Sequence, residues 1–166
     1  MYTETYISPL GEILISADEI GLTGLWFKEQ KYFALTLKDP VKQETPVITE
    51  TKRWLDIYFQ NKIPDFTPPL HPSGTLFQCQ VWNLLLKIPY GKTVTYGMLA
   101  EIIAHEKKIK RMSAQAIGNA VGHNPISIII PCHRVLGKDG SLTGYAGGIE
   151  RKEKLLLLEQ KTITLR

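Results

Sequence analysis

The sequence predicts an α/β (α+β) protein, with a small antiparallel sheet and a helix first and a mostly helical half after it. Three observations carry this. Residues 1–28 hold three short runs rich in β-branched and aromatic residues, YTETYIS, EILISAD and LTGLWF, punctuated by Pro9, Gly11 and Gly21 in the manner of a β-meander. The stretch IPDFTPPLHPSG at 63–74 carries four prolines and a glycine, which excludes a long helix or a central strand and marks a linker. Beyond it, apolar residues recur at helical rather than alternating spacing. The predicted halves are therefore 1–75, including the linker, and 76–166.

The elements follow in order. Residues 46–60 read as an amphipathic helix, with Pro46 suited to the first turn and Val47, Trp54, Leu55, Ile57 and Tyr58 to one buried face. Phe77, Val81, Leu84, Leu85 and Ile88 form a helical stripe that Pro89 ends. GKTVTYGMLAEIIA starts like a strand and continues with helical spacing through Leu99, Ile102 and Ile103. The polar, basic HEKKIKR follows, then MSAQAIGNAV as a second short helix closed by GHNP. SIIIPCHRV reads as a buried, strand-like run stopped by proline, GKDGSLTGYAGG as a glycine-rich loop, and ERKEKLLLLE as a C-terminal helix.

Composition narrows the classes. Hydrophobic residues make up 43% and charged residues 22%, ordinary values for a globular chain. No run approaches the ~18 apolar residues of a membrane span, and MYTETYISPL lacks the regions of a signal peptide; a cytoplasmic location without membrane partners is the expectation. Cys79 and Cys132 should then be reduced thiols. With no CxxC and with His71, His105, His123 and His133 scattered, no metal site is expected. Charge is uneven: residues 1–75 carry a net −3 and residues 76–166 a net +7. The basic half fits a polyanion, or is simply solvated surface.

Two segments carry chemistry. In IIIPCHRV, Cys132 and His133 adjoin at the end of a buried run, where a nucleophile could sit. Thiolate is the reactive form, and a free thiol with a pKa near ~8.5 needs a base such as His133, or a helix N-terminus or Arg134 nearby, to supply it. A core thiol beside a hydrogen-bonded histidine is the plain alternative. The two short helices at 96–121 resemble a helix-turn-helix. The second is thin, built from Ser113, Ala114, Ala116, Gly118, Asn119 and Ala120. Such a helix suits the minor groove, ~6 Å wide, better than base reading in the major groove; close packing on the first helix asks for the same small residues. Lys107, Lys108, Lys110 and Arg111 between the helices could touch phosphates or merely face water.

Taken together, PCHRV at 131–135, GHNPISIII before it, GSLTGYAGGIERKEKLLLLE after it and FQCQVWNLLLKIPYGKTVTYGMLA upstream resemble the O6-alkylguanine-DNA alkyltransferase family. The likeness is strong over roughly 75–160 and holds in outline before that. It implies a ribonuclease H-like N-terminal domain and a C-terminal domain with a winged-helix/helix-turn-helix-like DNA-binding motif. It also implies transfer of an alkyl group from O6 of guanine in double-stranded DNA to the protein's own cysteine, once per molecule, by a monomer without metal or organic cofactor.

Position by position, the resemblance makes Cys132 the acceptor, His133 the base acting through a water, and Glu159 the acid that orients it. Asn124 braces the turn before the nucleophile, and Tyr96 hydrogen-bonds the flipped guanine. Val135 and the loop Tyr145, Ala146 and Gly147 line the base pocket. Ser113, Ala114, Gln115, Ala116, Gly118, Arg111 and Arg134 fall in the DNA- and base-binding region, with Arg134 the better suited to bracing. O6 of guanine lies inside the stack, so the base must be rotated out, at a few kcal/mol. One departure stands out. Many members insert an arginine from the second helix into the vacated stack, and this chain has Gln115 there, which predicts extrusion with weaker DNA affinity.

Overall fold

The computed structural model describes residues 1–164. The meander forms as expected. β1 (Tyr2–Ser8) and β2 (Gly11–Ala17) pair antiparallel from Tyr2↔Ala17 to Ser8↔Gly11, and Gly11 at φ 125° makes the turn that an L side chain would resist. β3 (Leu22–Phe27) adds antiparallel to β2, and a two-residue β4 (Val41–Lys42) lies parallel to β1, giving the order β3-β2-β1-β4.

Every residue of β3 is buried although it is an edge strand. Its free edge is covered by the rest of the chain. Leu22 N–H donates to Pro69 O at 2.7 Å and His71 N–H to Leu22 O at 2.7 Å, so the proline-rich linker lies along one end. Leu25 N–H donates to Pro125 O at 2.8 Å and Ser127 N–H to Leu25 O at 2.9 Å, so the segment leading to Cys132 lies along the other. An open edge is thus satisfied by main-chain groups, at one end from the proline-rich segment and at the other from the helical half.

The helix α1 (Pro46–Phe59) is capped by Thr45, whose side chain accepts from Ile48 N–H, with Pro46 in the first turn. Its buried face is Ile48, Thr51, Trp54, Leu55 and Tyr58; Val47 and Ile57, expected there, are only half-buried because the stripe is rotated by one residue toward Ile48 and Thr51. A capping box between Thr75 and Gln78 opens α2 (Leu76–Leu85). Val81, Trp82, Leu84 and Leu85 are its core face, and Phe77 stays half-buried.

The two short helices are α3 (Tyr96–Glu106), capped by Thr95, and α4 (Ala114–Gly122), capped by Ser113. Trp82 Nε1–H donates to Ala120 O at 2.9 Å and fixes α4 against α2. Small residues let the two come this close, so packing accounts for part of the thinness of α4. A two-stranded parallel sheet, β5 (Val94–Thr95) with β6 (Val135–Leu136), joins the start of α3 to the chain just after Cys132. The last element among the described residues is α5 (Ile149–Thr164), whose inner face is Lys152, Leu155, Glu159 and Thr162.

The run SIIIPCHRV is not a strand until its last residue, Val135, which opens β6. After the bridge at Ile126 it turns on itself, with Ile129 N–H donating to Ser127 O at 2.8 Å and Cys132 N–H to Ile130 O at 2.8 Å. Ile128 takes φ 70°, a left-handed conformation that a β-branched residue adopts at a cost of roughly 1–2 kcal/mol. A short apolar run does not distinguish a strand from a buried turn, and here burial, not pairing, explains the three isoleucines.

Candidate active site

Cys132 begins a single 3-10 turn, Cys132–Arg134, after Pro131, and is 4% exposed. It lies in a cleft of about 910 Å³ walled by Tyr96 of α3, Gln115 and Gly118 of α4, and Tyr145 and Ala146 of the glycine-rich loop. Asn124 fixes the approach of the chain. Its Nδ2 donates to Ile126 O at 3.1 Å and to Ile130 O at 2.9 Å, while its Oδ1 accepts from Ile126 N–H at 3.0 Å. One buried amide therefore closes the loop that carries the left-handed Ile128.

Next to the thiol, His133 Nε2–H donates to Glu159 Oε2 at 2.5 Å. This leaves the lone pair of the neutral ring on Nδ1, which is buried and has no hydrogen-bond partner among the described residues. Glu159 is held from every side. It accepts from Tyr58 OH at 2.7 Å, from Gly91 N–H at 3.0 Å, and from Arg134 Nε and Nη2 at 2.8 and 3.2 Å. Burial alone would raise its pKa, but the hydrogen bonds and charges of His133 and Arg134 outweigh it and bring the carboxyl to about 2. Burial, joined by the Arg134 and Lys152 charges, depresses the pKa of His133 against the opposing pull of the Glu159 carboxylate, so the ring is a neutral base at neutral pH.

Burial pushes the Cys132 thiol up, against the opposing pull of Asn124, the Lys152 charge and nearby backbone N–H groups. The resting thiol is therefore protonated, and the site must remove its proton on demand. Arg134 does not lower it, as the sequence had allowed, because its guanidinium is committed to Glu159 and to Ile88 O at 2.8 Å. The cation that does face the thiol is Lys152 of α5. It is fully buried, its Nζ donates to Thr143 O at 3.1 Å and lies 6.0 Å from the Tyr96 ring centre, and burial depresses its pKa while Cys132 raises it. Tyr96 is half-buried, with its hydroxyl pKa raised by burial, and its ring lies over Gly118 of α4, where an added Cβ would meet it at an ordinary 3.8 Å.

The comparisons with known proteins fit this geometry. The family model of the 6-O-methylguanine DNA methyltransferase ribonuclease-like domain matches residues 1–72, and that of its DNA-binding domain matches residues 76–161. The chain belongs to the 6-O-methylguanine DNA methyltransferase family. Methylated-DNA–protein-cysteine methyltransferases from Methanosarcina acetivorans and Haemophilus influenzae are each 43% identical to it, over 96% of this chain and 98% and 87% of theirs. A crystal structure of Mycobacterium tuberculosis OGT in complex with DNA has a TM-score of 0.82 at 39% identity, covering 98% of this chain and 94% of that one.

Within this alkyltransferase frame, the structure brings Cys132, His133, Glu159, Asn124 and Tyr96 into one neighbourhood, and Ala114, Gln115, Gly118, Tyr145 and Ala146 into the wall of the cleft. Other expected residues lie elsewhere. Val135 is fully buried, pairs with Val94 and does not line the cleft. Gly147 is buried and does not line the cleft either, and its carbonyl accepts from Arg151 Nη1 at 3.1 Å. Arg134 turns inward to Glu159, so it braces the site and is not placed to meet DNA. Ser113 serves as the α4 cap and Ala116 sits on that helix outside the cleft; Arg111 lines a small depression between α3 and α4.

The sequence reading missed Lys152, Tyr58 and Gly91. Lys152 falls on the α5 face shared by Leu155 and Glu159, and that spacing was the available signal. Tyr58 and Gly91 are remote in sequence and offered none.

Proposed function

We propose that this chain repairs DNA by moving the alkyl group of an O6-alkylguanine onto Cys132. The observation that carries the reading is the ordered pair beside the thiol, a neutral His133 whose Nε2–H is locked on Glu159 and whose Nδ1 is buried and unpaired. The Cys132 proton passes through one water to Nδ1, the imidazolium is stabilised by Glu159, and sulfur displaces the alkyl carbon from O6. The C–O electron pair leaves with guanine, and the Tyr96 hydroxyl donates toward N3 to offset the developing anion. Lys152 favours the transient thiolate and holds the Thr143 carbonyl.

The cleft, about 910 Å³, has room for an extruded base, and a thiol 4% exposed cannot reach into a stacked duplex, so extrusion precedes transfer. α4 enters the minor groove with Gln115 at the vacated position. The electrons balance without a cofactor, and the thioether has no ready leaving group, so each molecule acts once. The need for a reduced thiol supports a cytoplasmic setting.

Intact mass after mixing with duplex DNA bearing O6-methylguanine tests this. A gain of about 14 Da on Cys132, absent in Cys132→Ser, is expected. Lesion DNA bound without any mass gain would instead make the chain a lesion-binding protein.

A further inference from the structure

One wall of the cleft comes from the N-terminal half. Lys31 and Tyr32, in the segment after β3, line the same cavity as Cys132. The Tyr32 ring stacks on His123, with centroids 4.0 Å apart and planes at 22°. His123 is fixed in turn, since it caps the C-terminal end of α4 and its Nδ1 pairs with Asn119 O at 2.8 Å. The Lys31 ammonium sits 5.2 Å from the Tyr32 ring centre, and its backbone N–H donates to Ala146 O at 2.9 Å.

This arrangement is held against a backbone preference. Tyr32 has φ 60° and Ala34 φ 54°, and a bulky residue in that region persists only where its surroundings over-determine it. The charge is equally particular. Lys138 and Asp139 line the cleft and offset each other, which leaves Lys31 as its net cation, exposed and without a carboxylate partner among the described residues. Gln115 and His123 stand eight residues apart on α4, about 12 Å along the helix, so Lys31 meets the cleft at the end away from Gln115.

Building on the alkyltransferase reading, we propose that Lys31, positioned by the Tyr32–His123 stack, contacts a phosphate of the damaged strand beside the extruded nucleotide. The N-terminal half thereby takes part in DNA binding. The rings serve to hold the ammonium in place, and the phosphate supplies the anion that no side chain provides.

The test uses the full chain, a duplex with one O6-methylguanine, and protein in excess, between about 50 and 200 mM salt. For Lys31→Gln, the half-saturating protein concentration should rise several-fold while the maximal rate of transfer holds, and the salt slope of binding should become shallower by about 0.9, the value of one phosphate contact. Tyr32→Ala should flatten the slope with no change in net charge, whereas Tyr32→Phe, which keeps the ring, should match wild type. An unchanged slope in Lys31→Gln overturns the proposal. So does a fall in maximal rate at unchanged half-saturation, which would make this wall part of the base pocket. Failure of the wild type to modify itself at any concentration would sink the alkyltransferase reading, while the binding slope would still decide the phosphate contact.

Discussion

His133 and Glu159 meet through a 2.5 Å hydrogen bond in which neither side chain is more than 1% exposed. The bond sets the tautomer, and the same carboxylate is the counter-ion of buried Arg134. Glu159→Gln removes both functions. Transfer should slow by about 10²–10³-fold, and stability should drop by roughly 3 kcal/mol because a buried guanidinium loses its charge partner. Single-turnover rates per folded molecule, beside urea unfolding, separate the two effects.

Lys152→Met keeps the volume in the core and removes the charge facing Cys132. The thiol pKa should rise, and the pH–rate profile of transfer should move to higher pH. A profile that merely drops in height, without moving, would assign Lys152 to holding Thr143 alone.

Acid should destabilise the protein in two stages. The folded pKa of His133 lies below its ordinary 6.5, so the unfolded chain binds that proton first and stability falls as pH drops below 6.5. The folded pKa of Glu159 is about 2 against an ordinary 4.5, so its contribution is complete above 4.5 and is lost as pH falls from there toward 2. Urea midpoints from pH 7.5 to 3.5 should decline throughout, and in Glu159→Gln the decline below 4.5 should be shallower.

Asn124→Ala leaves Ile126 N–H and the carbonyls of Ile126 and Ile130 without their side-chain partner. A loss of about 3 kcal/mol is expected. Because the amide also closes the loop before Cys132, transfer should slow even at temperatures where the variant stays folded.

Gln115→Arg should tighten duplex binding and steepen its salt dependence, since glutamine at this exposed cleft position carries no charge. Binding titrations at several salt concentrations measure both; equal slopes would show that position 115 fills space and nothing more.

The sequence disclosed what depends on local pattern. The meander and the capped helices are set by neighbours in the chain, and all are present. The site was legible where its residues adjoin, at Cys132–His133, and through family likeness at Asn124, Tyr96 and Glu159. What stayed hidden depends on distance in the chain. Tyr58 reaches Glu159 across 101 residues and Gly91 reaches it across 68. Arg134 looked available because nothing local engages it; its partner is 25 residues on. The isoleucine run misled because burial raises hydrophobicity in turns as well as in strands.

The hydrogen bonds between β3 and the segment ahead of Cys132 are made by main-chain atoms, Leu25 to Pro125 and Ser127 to Leu25. Contacts of that kind constrain where the backbone runs and leave side chains largely free. Two relatives could therefore diverge widely along this seam and still exchange N-terminal halves, provided the strand edge is carried over intact. The helical half expressed alone would retain Cys132, His133 and Glu159 and lose the edge that holds the first of them in place.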